Sequence, residues 1–500
     1  MDRNAFSTHA QAHSPLHIET CLEACREQFN RIVSDVISSQ HHEAHQVEAS
    51  LFKQLMQLGL LFLHLFFANH HGGDYGETVQ TAQGLATRGR PSARAYFSIF
   101  GKLKIQRYLY AIDALSFAPL DVLLNLPVRC YSYFLAERVN LLNIQGAYEE
   151  ATQLLHKLFD LRLSVSAAET LSQESGHQYE AYYAYKQTLP TTEKGEDYRV
   201  VSFDGKGVPM IKKEAAKIKA RLGTGEKRQK KKEALVGVTY RINAYRRTAE
   251  EVAGNLVFPE RQPPVSEPTA KAQHSRYLAS IQRPKRDVMR EIKREVQAEH
   301  CDDTPLICVM DGAQSLWNAF QEVFKDIKNK VMILDIIHVL EYIWLMAYVK
   351  YPAVDKQAKS YVYEKLTLIL QGKVASYILE LQNEMLTGKW KKSQKATLQK
   401  VITYLKNHKQ YMKYDVYLSQ GYPIGSGVVE SACSHVVKNR MEVPGARWSV
   451  SGAEAILRLR SVVKSQDWDA YWVFYTTCAQ NDEFFSRTDN SLNLQQKIPA

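Results

Sequence analysis

The chain has neither of the common glycine-rich phosphate loops, GxxxxGK[ST] or GxGxxG, which argues against a nucleoside triphosphatase. No Ser-His-Asp order suggests a hydrolytic triad. Cysteine is sparse: seven residues lie scattered over 500, and only Cys21 and Cys25 are close, at a spacing that fits one helix face and no metal motif. Reduced thiols in an intracellular protein without structural zinc are the expectation. The opening MDRNAFSTHAQAHS has no basic-then-apolar leader pattern. The richest apolar run, Leu58 to Ala68, is too short to span a bilayer and contains His64, so a buried helix is expected. Internal repeats are absent. The one compositionally biased tract is rich in lysine.

Positive charge is abundant. The formal net charge is +11, which favours an acidic partner, nucleic acid being the commonest. Between Lys212 and Glu233 ten Lys/Arg face three Glu, a net +7, as in a mobile arm or a long exposed hairpin. A length of 500 residues predicts two or three domains.

Along the chain, Pro15 to Asn69 reads as two helices, with Leu51, Leu55, Leu58, Phe62 and Leu65 at helical spacing. SIFGKLKIQRYLY alternates like a strand after a glycine turn and fits either a surface ribbon or a DNA-touching wing. Helices follow over Leu120–Leu126, Tyr131–Leu142 and about Tyr148–Phe159. Ser166-Ala-Ala-Glu169 forms a capping box that opens another helix, and this pair is compatible with a helix-turn-helix near 148–176 or with a plain helical hairpin. A boundary is placed in the polar, Tyr-rich stretch Glu180–Asp197. Beyond it, Arg199–Phe203, Ala234–Ile242, Val252–Val257, Thr304–Met310 and Val331–Ile337 read as strands, and Ser275–His300 as a charged helix. Tyr351 to Tyr417 shows only helical patterns.

Two of these strands end in Asp-Gly, at Asp204-Gly205 and Asp311-Gly312. Strand ends of an α/β sheet converge where ligands bind, and glycine there lets backbone and substrate approach closely. The loop of Tyr422 to Gly427 then leads into a helix from Val428, with Ser426 as N-cap, Val428, Val429, Ala432, Val436 and Val437 as its apolar face, and Glu430 in the first turn. Three carboxylates on separate elements suit two hard divalent cations, the arrangement used in two-metal phosphoryl transfer.

The phrases VSFDGKGVPM, VMDGAQSLW, LDIIHVLEYIW and YPIGSGVVESACSHVVKNRMEVPGARWS resemble the signature blocks of bacterial insertion-sequence transposases of the ISKra type. FAPLDVLLNLPVRCYSYFLA resembles the N-terminal region of the same family, so the likeness covers most of the chain. These proteins belong to the DDE class, with a ribonuclease-H-like catalytic fold. The resemblance implies that Asp204, Asp311 and Glu430 are the catalytic, metal-binding triad, and that a helical insertion of about residues 345–420 separates the fifth strand from the Glu430 helix. Asp335 and His338 match the D-x-x-H signature of the related Mutator-like and hAT transposases. His338 is then either a catalytic-site residue or a satisfied histidine at a helix start. Trp448 is either core or a DNA-stacking residue near the site. Lys206, Lys438 and Arg440, with Lys227, Arg228, Lys230, Lys231 and Lys232 of the arm, are the expected DNA contacts.

The resulting expectation is an α+β multidomain protein. Residues 1–190 form a mostly helical DNA-binding and dimerisation region. Residues 195–344 and 421–485 form a ribonuclease-H-like α/β catalytic domain, interrupted by the insertion at 345–420 and followed by a tail at 486–500. The expected activity is metal-dependent cleavage of transposon ends and strand transfer, with two Mg²⁺ ions per site and Mn²⁺ as a substitute. The expected partners are double-stranded DNA, as terminal inverted repeats and target, and a second copy of the chain, in a bacterial cytoplasm. A ribonuclease-H-like structure-specific nuclease without strand transfer, and a catalytically silent transposase-derived DNA-binding protein, are the alternatives.

Overall fold

The computed structural model describes residues 15–81, 84–113, 115–189, 198–218, 230–261, 270–299, 304–351 and 356–486. The protein is α+β and divides into two compact units, one of Met1–Gln178 with Asp469–Ala500, the other of Tyr179–Trp468.

In the first unit, α1 (Pro15–Ser38) pairs with α2 (Ala44–Ala68), as the apolar spacing predicts. The unit is less helical than expected, because an antiparallel sheet follows: β1 (Thr78–Thr81), β2 (Gly84–Ser98), β3 (Gly101–Ile112) and β4 (Leu115–Phe117), in that order. Leu103 and Ile105 point into a core with Phe67, Leu120 and Leu126, whereas Tyr110 joins a second core with Val79 and Ala86. The ribbon therefore buries one face near its turn and the other face further along. Its arginines are largely spoken for: Arg94 binds Asp121 at 2.8 Å, Arg107 pairs with the same carboxylate, and Arg88 binds Asp74 at 2.7 Å. Lys102 and Lys104 remain exposed.

The expectation of a buried α2 fails. Only Leu58 and Phe67 of its 25 residues are buried, because one narrow stripe meets α1 and the sheet while Phe52, Leu55, Phe62 and Phe66 stay exposed. By length and composition alone α2 could cross a membrane.

After α3 (Pro119–Leu123), α4 (Tyr133–Asn143) carries two buried asparagines that lock it to the serines of α6 (Val165–Ser175): Asn140 donates to Ser175 and Asn143 to Ser172, each at 2.9 Å. Between them lies α5 (Tyr148–Phe159), stopped by Asp160 in a left-handed conformation. The cap of α6 is Ser164, whose hydroxyl accepts from the Ala167 amide at 3.1 Å, so the helix starts earlier than the Ser166 box implied. With no Lys or Arg, α6 brings no phosphate-pairing cation to a helix-turn-helix. The last helix, Trp468–Ser486, belongs with this unit from Asp469 onward rather than with the rest of residues 421–485; Asn125 donates to its Thr476 carbonyl at 2.7 Å.

The second unit begins with α7 (Tyr179–Lys186), earlier than the polar stretch suggested. Tyr183 donates to Asp467 at 3.0 Å and faces the buried Arg276 guanidinium, which tie this helix to its own unit. The sheet contains β5 (Tyr198–Pro209), β6 (Lys231–Ile242), β7 (Gln273–Ser280), β8 (Leu306–Met310) and β9 (Lys330–Leu334), in the order β7-β6-β5-β8-β9. β7, β6 and β5 are antiparallel neighbours; β8 and β9 run parallel to β5.

Two assignments from sequence are corrected here. Val252–Val257 is helical, within α9 (Ala249–Val257; the four-residue α8, Lys212–Ala215, precedes it), because Thr248 and Glu251 cap each other's backbone reciprocally. The charged segment from Ser275 is not one helix: its first part is the strand β7, and the helix α10 is confined to Lys285–Glu299, with Val288, Met289, Ile292 and Val296 buried as its inner stripe. Charge hid the short apolar run of β7.

After α11 (Gln314–Val323), the strand β9 leads into a helical block: α12 (Ile336–Lys350), α13 (Lys356–Leu370), α14 (Val374–Thr387), α15 (Lys392–His408) and α16 (Tyr414–Gln420). Tyr414 and Tyr417 anchor this block to the sheet by donating to the Leu334 and Met332 carbonyls at 2.7 and 3.2 Å. Gly421, at φ 78°, ends α16 and leaves no room for a side chain, since a Cβ there would lie 2.6 Å from the Tyr245 amide nitrogen. The chain then enters α17 (Gly427–Ala432), a π-helical turn (Cys433–Lys438), α18 (Asn439–Met441) and α19 (Val450–Lys464).

Candidate active site

Strand register places the acids. β5 and β8 pair through Val201 and Cys308; three residues on from each partner stand Asp204 and Asp311. β8 and β9 pair through Met310 and Leu334; one residue on from each stand Asp311 and Asp335, and the Asp335 amide donates to the Met310 carbonyl at 2.9 Å. Counted on from these pairs, the three aspartates stand at the same end of three adjacent strands, Asp311 and Asp335 directly beyond the last β8–β9 pair. Asp204 is not at a strand end, as the sequence suggested: β5 runs on to Pro209 because its pairing with β6 outlasts its pairing with β8.

Each carboxylate is held. Asp204 accepts from the Gly205 amide at 2.6 Å and from the Cys433 thiol at 3.2 Å. Asp311 accepts from the Ala313 amide at 3.0 Å, while Trp317 fixes its carbonyl at 2.7 Å. Asp335, fully buried, caps α12 through the Ile337 amide at 3.0 Å and takes the Ser426 hydroxyl at 2.5 Å. Ser426 also lies 3.1 Å from Glu430, which ties the helix-borne acid to the strand-borne one. His338 stands at the start of α12 with Nε2 4.0 Å from Asp335 and Nδ1 3.3 Å from Glu341.

The electrostatics are first those of buried carboxylates, with a smaller mutual repulsion. Burial raises the Asp204 pKa and the charge of Asp311 adds to the rise, against the hydrogen bonds from Cys433 and Gly205 and the influence of His338. Burial likewise raises Asp335, with Glu430 adding and Ser426, Ile337 and His338 opposing. Burial works against the His338 proton, but Asp335, Glu341 and Asp311 outweigh it and raise that pKa. A bound cation would relieve all of this repulsion. The ligand atoms of Asp335, His338 and Glu430 lie within 4.8 Å of one another and could hold a metal ion. Hard oxygens dominate the set, which suits Mg²⁺ or Ca²⁺.

Other expected site residues separate. Arg440 is buried beneath Trp448, 4.6 Å from its ring, so it packs inside the unit and does not present its charge to DNA. Trp448 is core: it is buried, and its indole donates to the Met441 carbonyl at 3.0 Å. Lys438 is exposed and Lys206 half-buried. Lys227 and Arg228 lie outside the described residues. Lys230 and Lys231 are exposed and Lys232 half-buried; Lys231 is paired with Glu442 at 2.5 Å.

Ser426, Cys433, Tyr404 and His408 were missed. Ser426 and Cys433 sit four residues before and three after Glu430, spacings that share a helix face. Tyr404 and His408 come from α15, and nothing local links that helix to Asp311. His408 lies between the Tyr404 and Gly312 carbonyls, at 2.8 and 3.1 Å. A Cβ at Gly312 would lie 2.7 Å from the Tyr404 ring. Gly312→Ala is therefore expected to cost about 1–3 kcal/mol through overpacking. Thermal melting checks this, and the double variant with Tyr404→Ala should cost less than the sum of the two single changes.

No protein-family model matches the chain, and no curated protein matches it.

Proposed function

We propose that the chain is a metal-dependent DNA transposase of the DDE class, with a ribonuclease-H-like second unit. The observation that carries this reading is the row of Asp204, Asp311 and Asp335 across β5, β8 and β9, with Glu430 brought to it through Ser426. A sheet of three antiparallel strands continued by two parallel ones supports the ribonuclease-H-like part. The basic excess of the chain supports a nucleic-acid substrate.

Asp204, Asp311 and Glu430 hold the ions. Two divalent cations, when bound, polarise the attacking oxygen and stabilise the leaving one in an in-line displacement. His338, on the rim of the same cluster, donates to a phosphate oxygen and steadies Asp335. Water first cleaves a transposon end and leaves a 3′-hydroxyl, which attacks target DNA in the second displacement. Joining two ends calls for at least two copies of the chain, and the exposed Phe52, Leu55, Phe62 and Phe66 of α2 offer an apolar surface for that association.

The test uses the full chain, Mg²⁺ and a linear duplex built from the DNA flanking its gene. Cleavage that leaves 3′-hydroxyl ends, followed by joining to a second duplex, is the expected result. Cleavage without joining would point to a structure-specific nuclease. Neither cleavage nor a preference for the flanking DNA would sink both readings.

A further inference from the structure

We propose that Tyr404, delivered by the helical insertion, donates its hydroxyl hydrogen bond to a phosphate oxygen of the DNA strand bound at Asp204 and Asp311. This rests on the DNA-cleaving reading and adds to it a residue from α15.

The ring is fixed on both sides. It stacks face to face on Tyr342, with centroids 3.6 Å apart and planes 6° from parallel. Its other neighbour is Gly312, where a Cβ would lie 2.7 Å from the ring and 3.0 Å from the hydroxyl oxygen. Glycine after Asp311 is what admits the tyrosine. His408, one turn along α15, bridges the Tyr404 and Gly312 carbonyls and holds helix and turn in register.

So placed, the hydroxyl is buried and has no hydrogen-bond partner among the described residues. A buried hydroxyl left unpaired costs about 1–3 kcal/mol, which a bond to a bound ligand would recover. Burial raises the phenol pKa, and the nearby charges of Tyr342, Asp311, Asp335 and Glu341 add to the rise. The group therefore keeps its proton at neutral pH and can only donate usefully to an incoming acceptor. A phosphodiester offers anionic oxygens, and the hydroxyl stands at the Asp311–Gly312 turn, under the influence of the Asp311 and Asp335 charges. A fixed donor aimed at an oxygen that gains charge in the transition state is the kind of group whose loss slows catalysis more than binding.

Tyr404→Phe removes the hydroxyl and keeps the ring. The experiment compares wild type, Tyr404→Phe and Asp204→Asn as full chains on the gene-flanking duplex. Single-turnover cleavage in Mg²⁺ should fall roughly 100-fold in Tyr404→Phe, the usual size for one lost donor. Without DNA, Tyr404→Phe should melt at or above the wild-type temperature. With the duplex and Ca²⁺, wild type should gain more thermal stability than Tyr404→Phe. A lower melting temperature without DNA would show that the hydroxyl is bonded within the protein and would overturn the proposal. So would wild-type cleavage together with an equal DNA-induced shift. Should wild type and Asp204→Asn both fail to cleave, the DNA-cleaving reading falls separately, and the Ca²⁺ shift alone decides Tyr404: a smaller shift supports it and an equal one refutes it.

Discussion

Asp204→Asn, Asp311→Asn and Glu430→Gln are each expected to lower single-turnover cleavage by more than about 1,000-fold, or more than about 4 kcal/mol of barrier, while end binding stays within a few-fold of wild type. Each change keeps shape and removes the charge that a hard cation needs. Asp204 gives the sharpest form of the prediction. An amide at 204 keeps its oxygen for the Gly205 amide and turns its NH2 to the Cys433 sulfur, and it carries no charge to be buried or to repel Asp311. Asp204→Asn should therefore melt at or above the wild-type temperature although it is inactive, the trade-off expected where an active site stores repulsion. Loss of DNA binding in all three variants would put these residues in the fold or in DNA contact. Measurable cleavage in all three would end the two-ion reading.

Only some parts of the site could be read in the sequence. Asp204 and Asp311 were legible because each follows a short apolar run and precedes glycine. Glu430 was legible from its place in a first helical turn. What joins them was not. Ser426 looks like an ordinary N-cap, yet its hydroxyl serves Asp335 and Glu430 and not its own helix. Arg440 looked like a phosphate contact because charge in a sequence reads as surface, and only the structure shows the Trp448 ring above it. Tyr404 is separated from Gly312 by most of the insertion, and no periodicity reports a contact that distant. The same limit applies to the fold. Helices with a strong stripe, such as α2 and α10, announced themselves, but β7 did not, because its half-buried pattern lies among charges. The sheet inside the first unit was under-read because alternation alone cannot say how many partners a strand has.

Asp335 carries the second large effect, on stability. Asp335→Ala is expected to destabilise the protein by about 2–4 kcal/mol. Losing the cap of α12 contributes about 1 kcal/mol, and losing the buried bond from Ser426 to a charged acceptor, after which that hydroxyl keeps only Glu430, contributes about 1–3 kcal/mol. Asp335→Asn keeps an oxygen for the Ile337 amide and turns its NH2 to the Ser426 oxygen, leaving that hydroxyl to donate to Glu430, and should recover most of that loss. The pair separates a structural role from an ionic one. In the metal-free protein the folded-state pKa values of Asp335, Asp204 and His338 are all raised. Each such group stabilises the fold at pH values below its unfolded pKa, about 3.9 for aspartate and about 6.5 for histidine, and that contribution is lost as pH rises through the folded value. The contribution of these three groups to the melting temperature of metal-free wild type should thus fall as pH increases from about 4 upward, and Ca²⁺ should raise the melting temperature more at pH 8 than at pH 5. Asp335→Asn should flatten this pH dependence and reduce the Ca²⁺ shift, because one of the three clustered ligand positions is then neutral. Thermal melting of wild type, Asp335→Asn and Asp335→Ala across pH, with and without Ca²⁺, measures all of this. A Ca²⁺ shift in Asp335→Asn equal to that of wild type would make Asp335 a helix cap alone and leave ion binding to Asp204, Asp311 and Glu430.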